Sequence, residues 1–114
     1  MKLGLSTLLF RERPLNGDLL RDFCAVGIES IELTDYHPGF SLADVGFFTD
    51  LGKELQAQGL HLNSLHIHLE KFDPDIDLAD LAHREKALAA YRQAIDALAA
   101  MGGGILVTHD IECV

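Results

Sequence analysis

Residues 60–69, Leu-His-Leu-Asn-Ser-Leu-His-Ile-His-Leu, decide how this chain folds. From Ser64 to His68 polar and apolar side chains alternate, the period of a strand whose two faces meet different surroundings. On either side the period changes to that of a helix. Downstream, from about Asp80 to Met101, Leu81, Arg84, Leu88, Tyr91, Ile95 and Leu98 recur at intervals of three and four with mostly alanine between them. They predict a helix that Gly102-Gly103-Gly104 terminates, followed by a strand, Ile105-Leu106-Val107-Thr108-His109. Upstream, Val45, Phe48, Leu51 and Leu55 form the apolar stripe of a helix ending at Gly59. Ser41-Leu42-Ala43-Asp44 before it resembles a capping box with Asp in place of Glu or Gln. Gly46 and Gly52 inside that helix each cost about 1 kcal/mol against Ala, which weakens its early turns.

The same alternation extends to the N-terminus. Ile28 to Thr34 (IESIELT) is rich in β-branched residues and ends in the turn cluster Asp35-Tyr36-His37-Pro38-Gly39. Leu15 to Val26 places Leu19, Leu20, Phe23 and Cys24 at helical spacing before Gly27, and Leu3 to Thr7 reads as a short buried strand. The linker from Glu70 to Ala79 holds Pro74 and an acidic run, expected to be a solvated loop leading into a helix cap at Asp80. Strand and helix therefore alternate as β-α-β-α-β-α-β, which predicts an α/β fold: about four parallel strands joined by three helices through right-handed crossovers. Nothing in residues 1–114 marks an internal domain boundary.

Composition narrows the function classes. Hydrophobic residues make up 48% of the 114, ample for a core. Nine basic against 18 acidic residues give a formal charge of −9, a field that repels phosphate backbones and anionic lipid. No basic run offsets it, so neither a nucleic-acid nor a membrane partner is expected. No segment approaches the roughly 20 apolar residues of a membrane span, and the N-terminus does not read as a signal peptide. Cys24 and Cys113 are too few and too far apart for a disulfide framework, and Cys24 is expected as a buried free thiol. A cytoplasmic location is expected.

Strand periodicity sorts the polar residues. Ser30, Glu32 and Thr34 share one face of their strand, Ser64, His66 and His68 one face of theirs, and Val107 and His109 one face of the last. The opposite faces carry Ile31, Leu33, Leu65, Ile67 and Leu106, suited to meet helices. Glu32, His66, His68 and His109 thus fall near the carboxyl ends of their strands, where parallel α/β folds bind ligands. A single histidine there is commonly a rim or core residue; Glu32, His66 and His109 at equivalent heights on three strands single these out. His61 at a strand start, His37 in a turn and His83 on a helix are expected at the surface. The sequence has no nucleophile elbow, no Cys-x-x-Cys pair and no His-Glu-x-x-His motif.

In order and spacing these segments resemble the xylose-isomerase-like barrels, a superfamily that includes sugar phosphate isomerases, epimerases and the related apurinic endonucleases. Lys2-Leu3-Gly4-Leu5-Ser6 is similar to the family's first strand and Gly27 to Leu33 (GIESIEL) to its second. Leu65-His66-Ile67-His68 resembles the third-strand end, with His68 where proline is common; Arg84 to Gly102 resembles the helix that follows, and Val107-Thr108-His109-Asp110 the fourth strand.

The resemblance implies a partial (β/α)8 TIM barrel whose mouth binds a sugar or sugar phosphate, with Glu32, His66 and His109 as substrate-contacting positions. In the isomerase and epimerase branch it implies a divalent metal (Mn, Mg or Zn) held by later strands, and two glutamates that move a proton on the carbon beside a carbonyl. In the endonuclease branch it implies that His66 and His109 bind zinc, although two histidines do not complete a site. A complete barrel has eight units and about 250 residues; these 114 supply the N-terminal half, without counterparts of the catalytic glutamates or the metal cage. The chain alone is therefore expected to bind no metal stably, to lack the parent activity and, with open sheet edges, to self-associate or pair with a partner chain.

Overall fold

The computed structural model describes residues 2–72 and 75–109. Four strands form one parallel sheet in chain order: β1 (Gly4–Ser6), β2 (Ser30–Thr34), β3 (His61–Ile67) and β4 (Leu106–Thr108). The crossovers are α1 (Gly17–Ala25), α2 (Val45–Gln58) and α4 (Leu81–Ala100); α3 (Leu69–Phe72) is one further turn after β3. The expected half of a β/α barrel is the fold found, with parallel neighbours in sequential order and helices packed side by side against the strands.

Each long helix starts on a side-chain cap. Asn16 accepts from the Leu19 N–H at 3.1 Å, Asp44 from Phe47 at 3.0 Å, and Asp80 from His83 at 3.2 Å. The second helix accordingly opens at Asp44 rather than at Ser41, because the Asp44 carboxylate reaches the unpaired N–H that a capping group must satisfy. Asp80 caps α4 as expected. At the other end of α2, Gly59 takes φ +69°, a left-handed turn that releases the chain into β3. Gly52 has a different purpose: a Cβ there would lie 2.9 Å from Met101 Cα and 3.0 Å from the Ala100 carbonyl oxygen, so glycine is what lets α2 approach the end of α4.

The core gathers Leu19, Leu20 and Phe23 of α1, Ile31 and Leu33 of β2, Phe48, Leu51 and Leu55 of α2, and Leu65 and Ile67 of β3. From α4 it takes mainly Ala87, Ala94, Ala97 and Leu98. The stripe expected on that helix is thus displaced: Tyr91 and Leu98 face inward, but Leu81, Leu88 and Ile95 are 65%, 46% and 54% exposed. Small residues allow the helix to sit close to α2 and the sheet, and this outweighs the larger transfer energy that its bulkier face would gain.

Several boundaries also differ from the sequence reading. Thr7 leaves β1 for a 3-10 turn (Thr7–Phe10), where its buried Oγ1 accepts from the Thr34 N–H at 3.1 Å. The third strand stops at Ile67, because the next backbone N–H, that of His68, is taken by a side chain. His37 is buried rather than at the surface; its Nδ1 lies 2.8 Å from the Arg13 carbonyl oxygen, which can only accept, so the ring donates. Cys24 is a free thiol, partly buried, with Sγ 3.5 Å from the Gln58 carbonyl oxygen; Cys113 lies outside the described residues. Among the described residues no helix is long and apolar enough to cross a membrane.

Candidate functional site

The polar face of the sheet is built in steps up the strands. The lowest step joins Ser6, Glu32 and Ser64, which are direct register partners across β1, β2 and β3. A register shift after Ile31 makes this possible: Ile31 pairs with Leu62 but Glu32 with Ser64, so Asn63 is the extra residue of a bulge. Bulges re-aim side chains beside functional sites, and this one sets a hydroxyl against the carboxylate. Ser64 Oγ donates to Glu32 Oε2 and Ser6 Oγ to Glu32 Oε1, each at 3.1 Å.

His66 stands one step higher, in register with Thr34 and Val107, and His109 lies beyond Val107. The equal heights read from the sequence are therefore a rising diagonal, because the bulge advances β3 against β2. Contact is kept by the length of the side chains. His66 Nδ1 lies 3.4 Å from Glu32 Oε1, and its Nε2 lies 2.8 Å from Nε2 of His109. The two imidazole rings meet nitrogen to nitrogen, with centroids 4.9 Å apart and planes 15° from parallel. One of the two Nε2 atoms must carry a hydrogen at that separation; with Nδ1 of His66 aimed at a carboxylate, that hydrogen falls to His109.

Asp35 and His68 form a third group that the sequence reading left out of the site. Asp35 is fully buried immediately after β2. Its Oδ2 accepts the His68 backbone N–H and its Oδ1 faces His68 Nδ1, both at 2.7 Å. A carboxylate in this position fixes Nδ1 as the protonated nitrogen and leaves the lone pair on Nε2. The edge of Tyr36 packs against the His68 ring at 4.6 Å, and the His68 ring in turn stacks on His66 at 4.4 Å. In the sequence Asp35 looks like a turn residue. Its position at a strand's carboxyl end was a signal, but its pairing with His68 needed the register.

Glu32, His66 and His109 are thus brought together as expected, and His68 joins them. His66, His68 and His109 offer one ring nitrogen each, all within 4.8 Å of one another, a cluster able to hold a metal ion. Below Glu32 an open groove of about 640 Å³ runs past Ser6 and Asn63 to Lys2, Gly4, Ser30 and His61 at the amino ends of the strands, away from His66, His68 and His109. His61 is exposed, as expected, while His83 accepts the Asp77 N–H through Nδ1 at 2.7 Å and so braces the entry to α4.

Sequential parallel strands, helices on one side and polar residues at the strands' carboxyl ends define part of a β/α barrel with a site at its mouth. A solved structure of similar fold is that of the probable 3-DHS dehydratase AsbF from Bacillus anthracis, involved in petrobactin synthesis. The TM-score is 0.68 at 21% identity, over 95% of this chain and 38% of that one. The likeness is one of fold, and it is the fold expected from the resemblance to the xylose-isomerase-like barrels. This chain therefore spans well under half the length of that protein. No family model matches the sequence, and neither does any curated protein.

Proposed function

We propose that these residues form the N-terminal part of a sugar or sugar phosphate isomerase or epimerase barrel, and that Glu32, His66 and His109 contact the substrate at its mouth. The observation that carries this reading is the continuous polar network from Ser6 through Glu32 and Ser64 to His66 and His109, held at the carboxyl ends of the strands. Two serine hydroxyls fix the Glu32 carboxylate, so it presents acceptors to ligand hydroxyl groups at little further cost in side-chain entropy. At the next step His66 and His109 are joined to each other through their Nε2 atoms, which leaves His109 Nδ1 as the ring nitrogen free to accept from a ligand. Proton transfer on a carbon beside a carbonyl requires a carboxylate poised for that purpose, which this reading assigns to later strands of the barrel. The chain alone is accordingly a binding half without turnover.

Saturation-transfer NMR with a panel of ketoses and ketose phosphates tests the reading on the purified chain. Binding is expected, weakened at least tenfold by each of Glu32→Gln, His66→Gln and His109→Gln. Unchanged binding in all three, or isomerisation by the isolated chain with Mn2+ or Mg2+, would overturn it.

The exposed Leu81, Leu88 and Ile95 favour a second reading, in which two copies of the chain associate through this helix face and the adjacent β4 edge. Sedimentation velocity should then show a dimer that Leu88→Glu with Ile95→Glu converts to a monomer. A wild-type monomer at high concentration refutes it.

A further inference from the structure

We infer that Asp35 and His68 are positioning residues for the mouth. They lock the His66–His109 pair into one arrangement, and that lock makes this part of the mouth favour hydroxyl donors over phosphate. The inference rests on the sugar reading for its ligand class and narrows it, since that reading takes a sugar or a sugar phosphate alike.

The lock starts at a fully buried carboxylate. Asp35 grips His68 twice, at the backbone N–H and at ring Nδ1, both at 2.7 Å. A ring so held cannot turn about its side-chain bonds without giving up a charge-assisted hydrogen bond. The edge of Tyr36 meets it at 4.6 Å. The His68 centroid lies 4.4 Å from that of His66, with planes 24° apart, and 4.6 Å from that of His109, with planes 38° apart. His68 is thus a platform against both rings of the pair. Ring contacts of this kind fix the plane of each ring. The plane of His66 in turn aims its Nδ1 at Glu32 and its Nε2 at His109. Asp35 and His68 therefore act on a ligand through the rings they hold.

Ligand preference follows from the donors this arrangement uses up. His68 gives its Nδ1 hydrogen to Asp35, His66 its Nδ1 hydrogen to Glu32, and His109 its Nε2 hydrogen to His66. The hydroxyls of Ser6 and Ser64 are spent on Glu32 as well. What these groups offer a ligand is acceptors, the Glu32 carboxylate and the Nδ1 lone pair of His109. Among the described residues Glu32 has no lysine or arginine partner, and its ion-pair contact is with His66. Sugar hydroxyls donate to such a surface. A phosphate brings mainly acceptors, and a negative charge beside two carboxylates, a juxtaposition that lowers affinity.

The test reads ligand preference and tautomers, which a merely structural role would not move. Saturation-transfer NMR on the purified chain, at about pH 8 where a free imidazole is neutral, compares fructose with fructose 6-phosphate. Long-range 1H–15N spectra read the imidazoles. Fructose should bind about tenfold more tightly than its phosphate, with the His109 hydrogen on Nε2. Asp35→Asn keeps the shape but removes the buried charge and moves the His68 hydrogen to Nε2, so the preference should fall about threefold. His68→Gln, whose amide still reaches Asp35, removes the platform. His66 and His109 should then lose their single tautomer, and fructose affinity should fall about tenfold while the circular dichroism of the fold is kept. A wild-type preference for the phosphate, an unchanged preference in Asp35→Asn, or unchanged His66 and His109 spectra in His68→Gln would overturn the inference. If neither sugar binds, the sugar reading fails and inorganic phosphate decides the inference. No saturable shift of His66 or His109 is expected, and saturable phosphate binding there would overturn it.

Discussion

Replacing Asp35 is the sharpest perturbation this fold offers, because one fully buried carboxylate both closes β3 and sets the state of His68. Asp35→Ala removes two acceptors at 2.7 Å and leaves a backbone N–H and a ring N–H without them, at about 1–3 kcal/mol for each buried donor. Against this, the variant no longer buries a charge, which returns part of the desolvation cost. The net expectation is a loss of about 2–4 kcal/mol, a large share of the roughly 5–15 kcal/mol that holds a domain together. With a urea slope of about 1–3 kcal/mol per molar, the unfolding midpoint falls by about 0.7–4 M.

Asp35→Asn separates the two roles. An amide keeps one acceptor and turns the other into a donor. The backbone N–H of His68 cannot change, whereas the imidazole can. The amide oxygen therefore stays on the backbone, and His68 moves its hydrogen to Nε2. Destabilisation is expected to be near 1 kcal/mol, about the worth of one exchanged hydrogen bond. Circular dichroism in urea reads the stability, and imidazole 15N shifts read the tautomer. A loss below 1 kcal/mol in Asp35→Ala, or an Asp35→Asn chain whose His68 keeps Nδ1–H, would refute the reasoning.

Two further outcomes follow from the packing and capping. Gly52→Ala should destabilise by about 1–3 kcal/mol by urea denaturation, although Ala gains about 1 kcal/mol in helix propensity, because the new Cβ meets backbone of Ala100 and Met101 within 3.0 Å; a stabilised variant would mean that α4 can shift away cheaply. Asp80→Ala, which removes the cap of α4, should cost about 1 kcal/mol, with fraying of the first turn seen as faster amide hydrogen exchange at 81–84.

The order of elements was legible because hydrophobic period is a local property. The stretch 60–69 alternates, 45–58 and 81–100 repeat every three to four residues, and glycines stand at the junctions. Parallel pairing followed from that alternation, and the carboxyl-end positions of Glu32, His66 and His109 followed from counting along each strand. By itself, then, the sequence determined the architecture and the end of the sheet where polar groups collect.

Only the tertiary structure decided what those groups do to one another. The face of α4 that turns inward depends on how closely two helices can approach, so alanines rather than the leucines of the expected stripe are buried. The partnership of Asp35 with His68 depends on the register of β2 against β3, and a bulge of one residue set that register beside Glu32. Periodicity places a side chain on a face of its own strand. Which atom it reaches on the next strand is a matter of relative translation, and that is fixed by the packing of the whole sheet.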